Sequence, residues 1–477
     1  MMRHAWNAYR SGNMQMAEQA IRSVIKVQPR SAEAWALLGR IISEAFRFEE
    51  ADEAFDRAEK IRPGLVNAVM GRASLMWRKG HDDAVIREAR KVLKADSSNA
   101  EARVLAAASL RRLGRLDEAL AEARQAPMSA PVASLIGNIH LDLGEHEKAL
   151  EVASRLAEDP TVPPSQRVEL FHVLGQAQEN LGRYDEAVKA YLRSKQSVPT
   201  NFAEGAFKEG LKLLKEIFTR EFLASAPRAN FRTERPVFVA GMPRSGTTLL
   251  DRIIAAHPRA GGAGETRALR GQIAEWMTPD PEASWPRIAK RLTTADLDRV
   301  ARRYVQETSQ YAPAADRIAD KHLQNWVYVG LMAMAFPEAR VIHIRRDPLD
   351  CGISCLERLH PQSIHWAVDL RTIGVAWKGT EELMRHWKEV APIRMLTVEY
   401  EELVRDHEAQ TRRIIDFLGL PWDDACIAHH SARLKGHKPP PTLASEQAAK
   451  PIYDKSIGRG ARFGSALDPL REELERP

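Results

Sequence analysis

Residues Gly241–Thr248, Gly-Met-Pro-Arg-Ser-Gly-Thr-Thr, have the spacing of a phosphate-binding loop. Gly241, Gly246 and Thr248 fit the pattern G-x-x-x-x-G-K-[ST], and Thr247 stands at the lysine position. A β-branched run, PVFVAG over 236–241, leads into the loop, and a helical pattern follows it. A loop so placed offers an anion its backbone N–H groups and the positive end of a helix dipole. The loop's own cation is Arg244. Hydrolysis of a nucleoside triphosphate needs the missing lysine on the β- and γ-phosphates, and a strand-end aspartate for Mg²⁺. Asp320 ends a strand-like run, but Lys321 follows it at once. The loop is therefore expected to hold an anion neutralised by arginine and lysine rather than by a metal. A metal-dependent P-loop kinase or NTPase is the competing enzyme class, and both its lysine and its acidic ligands are missing. The His, Asp and Glu residues show no metal-ligand spacing, so no metal is expected.

Three further stretches carry polar residues at suggestive positions. In VIHIRRDPLDCGISCLERL (341–359) a strand runs into a helix. Arg346 at the strand end and Ser354 one turn into the helix can point at one anion, and Arg358 lies one turn further on the same face. The plainer reading has Arg346 capping the sheet edge and pairing with Asp350. TVEYEELVRDHEAQTRRIIDFLGLPWD (397–423) reads as a strand, an acidic turn and a helix whose Ile414, Ile415 and Leu418 face the core. KPIYDKSIGRGARF (450–463) brings Ser456, Gly458 and Arg459 together near the C-terminus.

Taken together these motifs resemble sulfotransferases that use 3′-phosphoadenylyl sulfate (PAPS). GMPRSGTTLL is similar to the family's 5′-phosphosulfate loop, which implies that Ser245, Gly246, Thr247 and Thr248 hold the phosphosulfate. Arg346 and Ser354, with Arg358, correspond to the 3′-phosphate site. The 397–423 stretch resembles a segment of the bacterial members, where Tyr400 either lines the adenine pocket or packs in the core. The Ser-x-Gly-Arg segment corresponds to one that closes over the nucleotide; related chains carry an aromatic after the arginine, whereas this one has Gly460. Glu265-Thr266-Arg267 begins 21 residues after Arg244. Tyrosylprotein sulfotransferases have Glu-Thr-Arg at that separation, so the resemblance implies Glu265 as base and Arg267 as acceptor-positioning residue. It further implies Arg244 on the bridging oxygen and Lys321 on the leaving group. His257 and His322 are alternative bases, and a lone Glu265 would read as a surface helix cap. The implied reaction is in-line sulfuryl transfer from PAPS to a hydroxyl, with a protein or peptide tyrosine as first acceptor and a carbohydrate or other small-molecule hydroxyl as second.

The elements that must position these residues lie in the second half of the chain. Strand-like runs at 236–241, 317–321, 339–346 and 393–400 alternate with helical stretches. That order predicts one α/β domain with a parallel sheet, over 236–477, with its binding edge at the strand C-termini. Before it, residues 203–235 read as a helical connector. The first 202 residues are periodic: Ala17 to Ala51, Ala20 to Ala54 and Pro29 to Pro63 are each 34 apart. The segment 3–202 resembles five or six tetratricopeptide repeats, an all-α solenoid. Gly114 and Gly182 would end first helices, Pro29, Pro63 and Pro199 would stop second helices, and Trp35 and Tyr191 would fill the space between pairs. Such an array binds an acceptor peptide, mediates a homodimer, or serves as a non-catalytic scaffold.

Composition bounds the rest. The 477 residues are 44% hydrophobic, enough for a packed core. A net charge of +6 from 70 basic and 64 acidic residues suits an anionic small ligand and is too diffuse for nucleic acid. The three cysteines, Cys351, Cys355 and Cys426, are too few and of the wrong parity for a disulfide framework, so they are expected as buried spectators in a reducing compartment. No signal-peptide pattern and no run of about 18 apolar residues occurs, so a soluble cytoplasmic protein is expected.

Overall fold

A computed structural model describes residues 1–45, 47–197, 200–277, 285–358, 364–430 and 451–476. The chain divides into two units, Met1–Ser197 and Val198–Pro477. No helix among the described residues is long and apolar enough to cross a membrane.

Among the described residues of the first unit, helices from Met2–Arg10 to Tyr184–Gln196 stack as six helix-turn-helix pairs. The periodic alanines Ala17, Ala51, Ala149 and Ala187 are fully buried, because only a methyl group fits where paired helices meet. Gly114 and Gly182 end first helices at φ 75°, a conformation that costs a residue with a Cβ. Pro29 and Pro63 follow second helices; Pro199 lies outside the described residues. Tyr191 is buried and fills the space between helices, its hydroxyl donating to Glu179 at 2.9 Å. Trp35 packs against the cluster of Ala36, Ala58 and Ala68, which links its own pair to the next. It is half-buried, its Nε1 donates to the Pro29 carbonyl at 2.9 Å, and the Arg57 guanidinium lies 4.7 Å from its ring. The buried aromatic of that pair is Phe55, which precedes Tyr191 by 136 residues, or four periods of 34.

The second unit opens with the helix Glu204–Ile217, from the stretch read as a connector. Its Leu211, Leu214 and Ile217, with Phe218 beyond, join the buried cluster around Trp387. Phe218 meets Trp387 edge-on at 5.4 Å, and burying a phenyl group stabilises by about 1.5–3 kcal/mol.

Among the described residues the sheet has five parallel strands in the order β2-β3-β1-β4-β5. They are β1 (Pro236–Ala240), β2 (Ala260–Gly264), β3 (Arg317–Asp320), β4 (Arg340–Arg345) and β5 (Arg394–Glu399). Both faces are covered, as a parallel sheet requires. Phe238, Ala240 and Val341 face the Trp387 cluster, while Val237, Val239 and Ile342 face Leu250, Ile253 and Ile254. Ile414, Ile415 and Leu418 pack on this second face, as their helical spacing predicts. Because all strands run one way, the chain leaves every one of them at the same edge, which carries the loop after β1, Glu265 after β2, Lys321 after β3 and Arg346 after β4.

Candidate active site

β1 leads through Gly241–Gly246 into the helix Thr247–Ala256. Gly246 has φ 106°, and a Cβ there would lie 2.5 Å from the Tyr400 ring, so backbone and packing both require glycine. Arg244 is the one non-glycine residue at positive φ among those described, at 72°. That conformation costs about 1–2 kcal/mol and persists where the surroundings impose it. The helix Pro348–Arg358 does so. Cys351 and Cys355 both donate to the Pro243 carbonyl at 3.3 Å, and Arg244 Nε donates to Ser354 Oγ at 3.0 Å. Arg346 Nη1 donates to the Arg244 carbonyl at 2.9 Å. Two of the thiols expected as spectators thus hold the loop. Burial pushes the Cys355 thiol well up from its ordinary value, which keeps it a donor.

Electrostatics point to an anion. Burial pushes the Arg244 guanidinium down from its ordinary value; Arg358 and Arg346 push the same way, against Cys355 and Glu357. Cations crowded out of water gain from an anion placed among them. Ser245 Oγ and Arg346 Nε are buried with no protein partner, the kind of unmet polar group a ligand satisfies. Thr247 and Thr248 are buried at the start of the helix. The Arg346–Asp350 pair stands at 4.0 Å, while the hydrogen bonds of Arg346 go to the carbonyls of Arg244 and Ser456. Its guanidinium lies 4.7 Å from the Tyr400 ring centroid. Tyr400 therefore packs against the loop and under an arginine. Arg358, read as a third contact, is held by Glu357 at 2.7 Å.

The C-terminal segment crosses this cradle as a strap. The Ser456 carbonyl accepts from Arg346 Nη2 at 2.7 Å, and Ser456 Oγ meets the Tyr400 hydroxyl at 2.9 Å. Gly458 and Gly460 N–H groups donate to Asp350 at 2.8 and 2.6 Å, and Arg459 pairs with Glu357 at 2.8 Å. A Cβ at Gly460 would lie 2.6 Å from the backbone carbon of Leu349, so a larger residue does not fit. The buried aromatic of this segment is Phe463. Gly460→Ala is expected to lift the strap from Asp350. A hydrogen bond to a charged group contributes about 1.5–3 kcal/mol, so anion affinity should fall about tenfold or more by calorimetry. Unchanged affinity would show that the strap does not contribute.

Glu265 and Lys321 meet at the neighbouring strand ends, Lys321 Nζ to Glu265 Oε1 at 2.8 Å. The lysine side chain is 3% exposed and the glutamate side chain 33%, so the carboxylate alone reaches toward solvent. Arg267 is exposed. His322 is pushed down to about 4 by burial, with Arg270, Arg267 and Lys321 adding to the effect, and is neutral at pH 7. His257 is committed elsewhere: its Nε2 donates to the Pro421 carbonyl at 2.7 Å and its Nδ1 accepts from Arg259 N–H at 3.0 Å. The Asp320 carboxyl accepts from the Tyr304 hydroxyl, the His322 N–H and Asn325 Nδ2 at 3.0, 2.9 and 3.1 Å. Its oxygens are occupied by protein donors rather than turned to the crevice. Sequence reasoning missed Asp350 as the anchor of the strap, because its partners lie 108 and 110 residues away. It also passed over Asp251, which Gly262 of β2 faces.

A family model described as "Sulfotransferase family" matches residues 236–424, and one described as "Tetratricopeptide repeat" matches 2–66 and 135–202. The chain is similar to an uncharacterized protein of Aquifex aeolicus, 27% identical over 77% of this chain and 49% of that one. It is similar to protein-tyrosine sulfotransferase A of Caenorhabditis elegans, 28% identical over 42% of this chain and 53% of that one. The protein-tyrosine sulfotransferase of Drosophila melanogaster is 25% identical over 48% of each chain. The chain thus spans about half the length of these relatives. It is a tetratricopeptide-repeat chain carrying a domain of the sulfotransferase family over residues 236–424.

Proposed function

We propose that this protein transfers a sulfuryl group from PAPS to an acceptor hydroxyl, with a protein or peptide tyrosine as the acceptor. The observation that carries the reading is the joint placement of an arginine-lined anion cradle and the Glu265–Lys321 pair at one edge of the sheet. In this reading Ser245, Gly246, Thr247 and Thr248 hold the 5′-phosphosulfate. Arg346 and Ser354 hold the 3′-phosphate, with Arg358 and the strap residues Ser456, Gly458 and Arg459 around it. Glu265 takes the acceptor proton as the acceptor oxygen attacks sulfur in line. The bond from sulfur to the bridging oxygen breaks, and Arg244 and Lys321 meet the charge on the departing phosphate. Arg267 positions the acceptor. The names of the Caenorhabditis and Drosophila relatives support tyrosine over a sugar hydroxyl.

We assign the array 3–202 to acceptor binding or self-association, 203–235 to a connector and 236–477 to the catalytic domain. Three free, buried cysteines fit a reducing compartment. The test is calorimetric titration with 3′-phosphoadenosine 5′-phosphate beside Mg-ATP, followed by transfer of labelled sulfuryl groups to tyrosine peptides and to sugars. Metal-independent binding of the first nucleotide and labelling of peptides are expected. Preference for Mg-ATP would overturn the reading, and labelling of sugars alone would overturn the acceptor.

A further inference from the structure

Asp251 lies four residues beyond Thr247 on the helix Thr247–Ala256, one turn along the same face. It is 6% exposed, and its Oδ1 has no hydrogen-bond partner. β2 passes close by: a Cβ on Gly262 would come within 2.9 Å of that oxygen, so the carboxyl occupies room that only glycine leaves. The charged groups around it are Lys321 and Asp320 at the end of β3, Glu265 beyond β2 and Arg252 on its own helix. A buried carboxyl with an unmet oxygen is costly unless it acts on something. Its helix neighbours Leu250, Ile253 and Ile254 show that an apolar side chain packs readily beside the sheet.

Resting on the transfer reaction proposed above, we propose that Asp251 is a positioning residue that competes with Glu265 for the Lys321 ammonium. Ionised, it draws Lys321 toward the helix that begins at the anion loop and leaves Glu265 to take the acceptor proton. Protonated, it leaves Lys321 locked to Glu265. Burial raises Asp251 to about 7; Lys321 opposes the rise, and Asp320 and Glu265 add to it. Both forms are therefore populated at neutral pH, and turnover should rise as pH passes through about 7.

The test uses the full chain, as wild type and Asp251→Asn. Infrared titration of the carboxyl stretch should show two buried acids losing protons in the wild type, Asp320 near 6 and Asp251 near 7, and the Asp320 band alone in the variant. The wild-type kcat should rise through the same range. In Asp251→Asn it should be flat and about tenfold below the wild-type plateau, with 3′-phosphoadenosine 5′-phosphate affinity within about twofold. A structural role alone would not remove the pH limb. A limb retained in the variant, or no carboxyl titrating near 7 in the wild type, would overturn the role. The titrating band without turnover from PAPS at any pH would instead defeat the transfer reaction, and this role with it.

Discussion

Glu265→Ala is expected to lower kcat by about 10²–10⁴-fold, the usual contribution of a positioned general base, while 3′-phosphoadenosine 5′-phosphate binds within about twofold of wild type. The argument is geometric. Glu265 follows β2 at the sheet edge that carries the anion loop, and its side chain keeps a third of its surface open to solvent. The histidine competitors are weaker. His257 has both ring nitrogens bonded to backbone groups, and burial, with nearby cations adding to it, pushes His322 down to about 4, which makes it a poor proton acceptor. Removing Glu265 also strips the partner from a lysine that is 3% exposed, which by itself disturbs the site. Glu265→Gln separates the two effects, since its amide oxygen still accepts from Lys321 but takes no proton. Single-turnover rates on both variants, with His322→Ala alongside, decide the assignment. Full activity in Glu265→Gln would mean that another group is the base.

Arg346→Ala should weaken 3′-phosphoadenosine 5′-phosphate binding by about 10–100-fold, since a charge-assisted contact contributes about 1.5–3 kcal/mol. Arg346 is buried, and its Nε is left without a protein partner while Nη1 and Nη2 hold the Arg244 and Ser456 carbonyls. It thus ties loop to strap and keeps one donor in reserve. Lysine cannot reproduce this, because three donors on one nitrogen do not span two carbonyls and an anion. Arg346→Lys should therefore recover little affinity. Calorimetry against adenosine 5′-phosphosulfate, which lacks the 3′-phosphate, sharpens the test: the loss should be confined to the 3′-phosphorylated nucleotide. Equal losses for both would move Arg346 to the 5′ side of the cradle.

Local sequence carried the repeat period, the loop after β1, four of the five strands and the helix bearing Ile414, Ile415 and Leu418. Each depends on neighbours in the chain: 34-residue self-similarity, a run of β-branched residues along a strand, glycine in a tight turn. Tertiary structure decided the rest. β2 is Ala-Gly-Gly-Ala-Gly, with no β-branched residue to mark it; its glycines answer to side chains from elsewhere, Gly261 to Ala312 and Gly262 to Asp251. Gly460 is glycine where the Leu349 backbone passes 2.6 Å from the place of a Cβ. Phe55 is the fully buried aromatic beside Trp35, and the sequence did not single it out, since which aromatic turns inward depends on the facing helix. The cradle joins Arg244 to Ser354 across 110 residues, and Glu265 meets Lys321 across 56. A single sequence suggests the chemistry of such residues from their types, but their meeting follows from parallel strands that all end at one edge, where charged groups far apart in the chain come together.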